Sequence, residues 1–542
     1  MANLIDALRS PRCYPHAVTH LHVVETHISW VVLTGRYAYK IKKPVNLGFL
    51  DFRTLEARRF YCEEELRLNR RLTSDLYLEV VAITGSIEHP SIGGHDQILE
   101  YAVKMRQFDE GGLLDRVQAR GGLLAAHVDD LARTLAAFHR SCRRAPSGAR
   151  LGSPESVLMP MHQNFVQVSQ LISAPGDRAP VERLRQWSDS MGGALQKAFA
   201  ERQKDGYVRE CHGDLHLGNV FLENGTVRIF DCIEFDANLR WIDVMSEVAF
   251  LVMDLRHRDH PELACRFLNA YLEFTGDYSG LVVLPFYLTY RAMVRAKIAL
   301  IRSAQPNVRA QEIRAGRTEY GRYIGLAEEF SADRPRWLAL THGYSGSGKS
   351  HFSQQLLERC NAVRIRSDTE RKRGHGLERD AASRSPVGGG LYTEAAAHRN
   401  YERLARLTAL ILEAGWPVIV DGAFLLRWQR DLLLDIARRL DVPWLILHCQ
   451  ASEAMLRQRL AERARSNADP SEATQAVLEF QIRTGEPLTD DERGGALVID
   501  PHDKQGLVRA LDRIDALVRR DTPARPGRER SHYAKAHFVS ST

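Results

Sequence analysis

Between residues 18 and 45 the stretch "VTHLHVVETHISWVVLTGRYAYKIKKPV" runs in short Val-, Ile- and Tyr-rich segments, broken at Glu25–His27 and again at Thr34-Gly35-Arg36. Alternation of that kind is the period of half-buried strands, so an antiparallel meander with tight turns is predicted. The period then changes. In "DFRTLEARRFYCEEELRLNRRL" Leu55, Cys62 and Leu66 fall at helical spacing with Leu68 and Leu72 beside them, which predicts an amphipathic helix. A strand pair follows at "YLEVVAITG" and "QILEYAVKMRQF". After Gly111-Gly112 the pattern is helical ("AHVDDLARTLAAFHRSC") and stays mostly so to about residue 330.

A second change of character comes at "SADRPRW", residues 331–337. "WLALTHGYSGSGKSHFSQQLLERC" reads as a buried strand, a glycine-rich turn and a helix, and the short apolar runs "VIVDGAF" and "WLILHC" alternate with helices farther on. Apolar strands separated by helices are the mark of a parallel α/β sheet. A boundary near residue 333 is therefore predicted, giving domains over 1–333 and 334–520. Residues 521–542, polar, basic and without apolar period, are expected to be a disordered tail.

Composition narrows the class without deciding it. A chain of 542 residues is too long for one core. Its 44% hydrophobic and 26% charged residues are ordinary globular values. No run approaches the ~20 apolar residues that a membrane span needs, and the first residues lack the pattern of a secretion signal, so a cytoplasmic protein without a membrane partner is expected. The eight cysteines are scattered without a C-x-x-C pair and are expected to be buried free thiols. Set against 68 acidic residues, 74 basic ones leave a net charge of +6, which is no nucleic-acid footprint.

Two stretches carry chemistry. "HGDLHLGN" at 212–219 is followed by "VRIFD" ending at Asp231, across a hairpin turned by Asn224-Gly225. Phosphoryl transfer needs a carboxylate near the acceptor hydroxyl and ligands for the magnesium on the phosphates. Asp214 is suited to the first task, Asn219 and Asp231 to the second. The other stretch, "GYSGSGKS", fits G-x-x-x-x-G-K-[ST] between a strand and a helix. Gly343, Gly346, Ser347, Gly348, Lys349 and Ser350 are expected to cradle ATP phosphates, with Lys349 reaching the β and γ oxygens and Ser350 the Mg2+ ion.

"HGDLHLGN" with "FDCIEFD" resembles the catalytic and metal-binding loops of the aminoglycoside phosphotransferase and choline kinase group, over about residues 20–320. That resemblance implies a bilobal α+β fold of the protein-kinase type. In it "YAYKIKK" is similar to the strand bearing the ATP-contacting lysine, Lys40 or else Lys42, with an ion-pair glutamate among Glu63, Glu64 and Glu65. Glu64 is the expected one, because Leu68 follows it by one turn. "LEYAVKMRQF" is similar to the adenine hinge, and "RWIDVMSEVAFLVMDL" places Asp243 where the family braces its catalytic loop. Two departures stand out: "VETHISWV" replaces the glycine-rich loop, and Leu217 stands where proline is common. The acidic residues after Asp231 suit a cationic acceptor less well than they suit structural roles.

Residues 336–520 resemble P-loop kinases of the polynucleotide-kinase and zeta-toxin type. In "VRIRSDTERKR" Asp368 is expected to end a strand and activate an acceptor hydroxyl, with Arg371 three residues on binding an acceptor phosphate. "VIVDGAF" places Asp421 on the metal side. "EAMLRQRLAERAR" is similar to the lid helix, with Arg459 and Arg463 closing on the nucleotide. The combined expectation is a protein-kinase-like domain followed by an α/β P-loop domain with a parallel sheet. Both would use ATP and Mg2+ to phosphorylate a small-molecule hydroxyl acceptor, and a nucleotide or nucleic-acid 5′ end is a further acceptor for the second. The alternative is a regulatory protein whose first half binds nucleotide without turnover. Acceptor identity and oligomeric state are left open.

Overall fold

The structure, a computed structural model, describes residues 1–521 except 49, 147, 173–174, 306–307, 382–390, 392, 467–472 and 501–502. The tail predicted over 521–542 lies outside them from residue 522 onward. The chain divides into two compact units. One holds Met1–Asp333 and the short run Leu357–Asn361, the other Arg334–Leu356 and everything from Ala362.

In the first unit the predicted meander is β1 (His22–Glu25), β2 (Ser29–Leu33) and β3 (Tyr37–Lys42). The pair after the helix is β4 (Tyr77–Gly85) and β6 (Ile98–Arg106), with a short β5 (Pro90–Ile92) between them that the sequence pattern did not indicate. They form one antiparallel sheet in the order β1-β2-β3-β6-β4-β5. Tyr39 and Ile41 point to one face of β3 and pack with Leu4, Ile5 and Leu8, so the N-terminal helix Ala2–Ala7 covers that side. Lys40 and Lys42 share the opposite edge of the alternation.

The helix Leu55–Thr73 begins at a Thr54 cap and lies between β3 and β4 in the chain. Its buried positions include Arg58, Cys62, Glu65 and Asn69, a stripe at spacings of four, three and four. Leu66 and Leu72 sit off that stripe and are only half-buried. Of the apolar positions expected on this face Cys62 and Leu68 are buried, and the inward face also carries an arginine, a glutamate and an asparagine, each matched by a partner.

The helical part contains β7 (Val208–Glu210) paired with β10 (Trp241–Asp243), and the hairpin β8 (Val220–Glu223) with β9 (Thr226–Ile229). Asn224 and Gly225 turn that hairpin with φ of 50° and 76°, the left-handed pair such a turn requires. Every residue from Val244 to Leu255 of the helix Val244–His257 is buried, so this helix is the centre around which the others pack.

The second unit has β11 (Leu338–His342), β12 (Val363–Arg366), β13 (Val418–Asp421), β14 (Trp444–Cys449) and β15 (Ala496–Ile499). All pairs are parallel, in the order β12-β13-β11-β14-β15. The central strand β11 is buried at all five positions, as a sheet covered on both faces demands. Among the described residues no helix is long and apolar enough to cross a membrane.

Candidate active sites

In the first unit the sheet, the helix Leu55–Thr73 and the two loops after β7 and β9 converge on one carboxylate-rich centre. Lys40 Nζ lies 2.5 Å from Asp231 Oδ1 and 2.7 Å from Glu65 Oε1. Lys42, buried and one step farther along the strand, lies 2.8 Å from Glu65 Oε2 and also pairs with Glu234. Glu65 therefore bridges both lysines, and their charges bring its carboxyl down despite the burial that works to raise it. The ion-pair register expected at Glu64 is corrected to Glu65. Glu64 turns outward to Arg67 at 2.9 Å and Arg240 at 3.5 Å, because the inward stripe runs through Cys62 and Asn69, three residues before Glu65 and four after it. Between the two lysines, Lys40 is the one that reaches the Asp231 loop, and Lys42 is enclosed.

Asp231 stands on a backbone held from two sides. Its N–H donates to the Tyr77 hydroxyl at 3.1 Å, and the next N–H, of Cys232, donates to Asn69 Oδ1 at 2.9 Å. These two contacts hold Asp231 at a φ of 68°, a left-handed conformation. Asn219 donates through Nδ2 to the Asp214 carbonyl at 2.9 Å, so its amide oxygen is turned away from that bond. Asp231 Oδ2 has no hydrogen-bond donor among the described residues. An amide oxygen and a carboxylate oxygen in these places are hard ligands of the kind magnesium takes.

The catalytic-loop segment is fixed through its backbone. Gly213 has a φ of 94°, and a Cβ there would stand 2.7 Å from the Leu239 carbonyl, so only glycine fits. Its N–H donates to Glu247 Oε1 at 2.7 Å, and Arg291 Nη1 donates to its carbonyl at 3.2 Å. Leu217 N–H donates to Asp254 Oδ2 at 2.9 Å. The brace expected at Asp243 is thus corrected to Glu247, one helical turn farther on. Asp243 caps its helix and joins Asp277 in gripping the buried Arg202, at 2.6 and 2.8 Å. Glu247 is completed by His139 Nε2 at 2.8 Å, and His139 Nδ1 meets the Tyr271 hydroxyl at 2.9 Å. His139, Cys211 and Glu247 bring possible ligand atoms within 4.8 Å of one another, yet these bonds already occupy both ring nitrogens. Sequence spacing gave no sign of His139, which comes from a helix 108 positions away from Glu247.

Asp214 faces outward from this frame, with His216 Nε2 3.6 Å from Oδ2. Burial works to raise its carboxyl, and His216, His212 and Arg295 more than offset that, holding it well below the usual carboxylate range. The segment expected as hinge is strand up to Arg106, its backbone engaged by β3 and β4. Chain past the strand begins at Gln107 and Phe108, and Phe108 stacks on Phe221 with ring centroids 4.1 Å apart. Between β1 and β2 the turn is closed by Thr26 and Ser29 and contains no glycine.

In the second unit the turn between β11 and the helix Lys349–Cys360 has the expected form. Gly343 has a φ of 141°, and a Cβ there would meet the Cys449 carbonyl at 2.4 Å. Gly346, Ser347, Gly348, Lys349 and Ser350 lead into the helix N-terminus, where backbone N–H groups and the helix dipole favour phosphate. Lys349 Nζ donates to the Tyr344 carbonyl at 2.7 Å and lies 3.4 Å from Ser347 Oγ. Two contacts there were not legible in the motif. Gln481 Oε1 accepts from Ser345 N–H at 2.8 Å, and Arg364 ties β12 to the Ser350 carbonyl at 3.2 Å.

Asp421 ends β13 beside β12 and β11. Its Oδ1 lies 3.5 Å from Thr341 Oγ1, and Oδ2 is buried without a hydrogen-bond partner, 3.6 Å from Arg366 Nε. An orphaned carboxylate oxygen near a phosphate loop fits a cation or its bound water. Asp368 is corrected from a strand end to the first turn of the helix Ser367–Gly374, since β12 stops at Arg366. Arg371, one turn on, donates to Asp368 Oδ1 at 2.8 Å. Arg459 donates to the Gly346 carbonyl at 3.1 Å, so this helix does reach the loop. The side chain of Arg463 lies outside the described residues.

Comparison with known proteins adds the following. The model of the phosphotransferase enzyme family matches residues 59–281, and that of an AAA domain matches residues 338–488. An uncharacterized protein of Mycobacterium tuberculosis is 30% identical over 475 residues, spanning 86% of this chain and 91% of its own length. A Mycobacterium bovis protein matches to the same extent. Among solved structures, a choline/ethanolamine kinase family protein from Mesorhizobium loti aligns at 13% identity over 60% of this chain and 99% of its own, with a TM-score of 0.36. A gluconokinase from Sinorhizobium meliloti aligns at 21% identity over 35% and 94%, with a TM-score of 0.24.

Proposed function

The chain belongs to the family of the mycobacterial proteins it matches, an ATP-dependent kinase with a phosphotransferase-family domain ahead of a P-loop kinase domain, and from that premise we propose that each domain performs its own transfer. In the first, Asp214 accepts the proton of an acceptor hydroxyl, while Lys40, positioned by Glu65, contacts the nucleotide phosphates. In the second, Asp368 takes the proton, Arg371 holds an anionic group of the acceptor, and Lys349 with the loop N–H groups holds the nucleotide. Asn219 and Asp231 in one half, and Ser350 and Asp421 in the other, would hold magnesium. That ion supplies neutralisation of the charge on the transferring phosphoryl group.

The observation that supports this reading is that Lys40, Glu65 and Asp231 meet in the first half and that Lys349 leads the phosphate-loop helix in the second. A half retained only to bind nucleotide has no need of an ionised, outward-facing Asp214 on a loop braced by Glu247, Asp254 and Arg291. The test is ADP formation by the full chain against pooled metabolites and 5′-hydroxyl oligonucleotides, with Asp214→Asn and Lys349→Ala in parallel. Two acceptor-dependent activities are expected, one lost in each variant. If Lys349→Ala abolishes every acceptor-dependent activity and Asp214→Asn abolishes none, the first half is a nucleotide-gated regulator.

A further inference from the structure

Two lysines share one face of β3, and they differ in what can reach them. The Lys40 side chain is 13% exposed and that of Lys42 only 1%, with Glu65 at 0% and Glu234 at 3% beside it. Burying an ammonium this completely is costly unless its N–H groups are matched. Those of Lys42 are: Nζ donates to Glu65 Oε2 at 2.8 Å and to Glu234, and it stands 5.1 Å from the centre of the Phe52 ring. A lysine enclosed in this way does not touch a nucleotide itself.

The two oxygens of Glu65 are not held alike. Oε2 accepts the hydrogen bond from Lys42, whereas Oε1 is buried, stands 2.7 Å from Lys40 as an ion pair and has no hydrogen-bond donor among the described residues. Lys40 directs its hydrogen bond to Asp231 Oδ1, at 2.5 Å. The carboxylate that sets Lys40 in place is thus fixed from its far side, by Lys42. A buried acceptor oxygen without a donor is a cost to the fold, and the ammonium beside this one is that of Lys40.

Resting on the reading of the first half as a phosphotransferase, we propose that Lys42 is a positioning residue, which holds Glu65 through Oε2 so that Oε1 stays in place as a second seat for the Lys40 ammonium. With Asp231 given over to magnesium, Lys40 loses the acceptor it now has. One of its N–H groups then turns to Glu65 Oε1, and the others are left for phosphate oxygens. Lys40 changes partners, and Lys42 keeps the anchor oriented while it does. Glu234 is the counter-charge that allows a second lysine to be buried there. Its own backbone is held separately, since Arg240 Nη1 donates to the Glu234 carbonyl at 3.1 Å.

The test is calorimetric titration of Mg·AMP-PNP into the full chain carrying Lys349→Ala, so that the first half is the site titrated, with the melting temperature of the first unit read in parallel. Lys42→Met should lower the melting temperature and weaken binding about tenfold, the worth of a lost hydrogen bond to a buried charge. Lys42→Met/Glu234→Gln removes both charges of the pair, so it should regain most of the melting temperature and still bind about tenfold more weakly than the parent. The paired variant also serves where Lys42→Met fails to fold. Glu234→Gln alone leaves the Lys42–Glu65 bond and should bind within about threefold of the parent. Affinity that returns with the melting temperature in the paired variant assigns Lys42 to stability alone and overturns the proposal, with the phosphotransferase reading intact. So does a loss in Glu234→Gln as large as that in Lys42→Met, which routes the effect through the Asp231 loop and not through Glu65. Absence of any Mg·AMP-PNP binding by the Lys349→Ala parent refutes the reading of the first half itself, and the proposal with it.

Discussion

Replacing Glu65 with glutamine separates the two candidate registers of the ion pair. Glu65 is fully buried, 2.7 Å from Lys40 and 2.8 Å from Lys42, and the substitution leaves Asp231 and Glu234 to balance both lysines. Removing one partner of a buried ion pair costs about 3–5 kcal/mol, because the remaining charge stays desolvated. In a unit of this size each kcal/mol moves the melting temperature by about 2 °C, so the first unit should melt about 6–10 °C lower. Lys40, released from Glu65, is then left to Asp231, the carboxylate proposed for magnesium. Mg·ATP affinity of the first half should fall at least about tenfold, the equivalent of about 1.4 kcal/mol. Glu64→Gln removes half-buried contacts to Arg67 and Arg240 and should cost about 1 kcal/mol or less. Scanning calorimetry with and without Mg·AMP-PNP reads both effects. A larger loss of nucleotide affinity in Glu64→Gln than in Glu65→Gln refutes the register.

His342, buried on β11 just before the phosphate loop, is pushed down to about 3 by burial, reinforced by His448, Arg430 and Lys349. The unfolded chain takes up that proton below about 6.5 and the folded chain does not, so stability falls as pH drops from about 6.5 toward 3, by about 2 kcal/mol at pH 5. His342→Leu should flatten the second unit's melting temperature between pH 7 and 5 by that amount, and an unchanged slope counts against the assignment. For Arg371→Lys, loss of the planar fork should raise the KM of the second half's acceptor about tenfold and leave the KM of ATP in place. A change confined to ATP would move Arg371 to the nucleotide site.

What could be read from the sequence is what local pattern encodes. The alternation of residues 18–45 located β1 to β3, and the register of "GYSGSGKS" located the phosphate loop between β11 and its helix. Glu64 and Glu65 differ by 100° of helix, and an apolar-only reading of the face cannot choose between them. The deciding neighbours, Cys62 and Asn69, are small or polar, and Asn69 is inward because it serves the Cys232 N–H at a sequence separation of 163. Asp243 and Glu247 are likewise one turn apart on a helix buried on all sides, so periodicity is silent there. His139, through Glu247, and Arg291 act on the catalytic loop through contacts between distant elements, which no local spacing reports. Asp368 was misplaced by two residues because Ser367 and Asp368 suit a helix start as well as a strand end.

Two nucleotide sites on one chain is the claim on which the rest depends, and the stoichiometry of Mg·AMP-PNP binding to the full chain tests it most directly. Calorimetric titration should give two sites per chain, with one remaining in Asp231→Ala, one in Lys349→Ala and none in the double variant. A single site in the wild type, or the loss of both on either single substitution, would contradict the account.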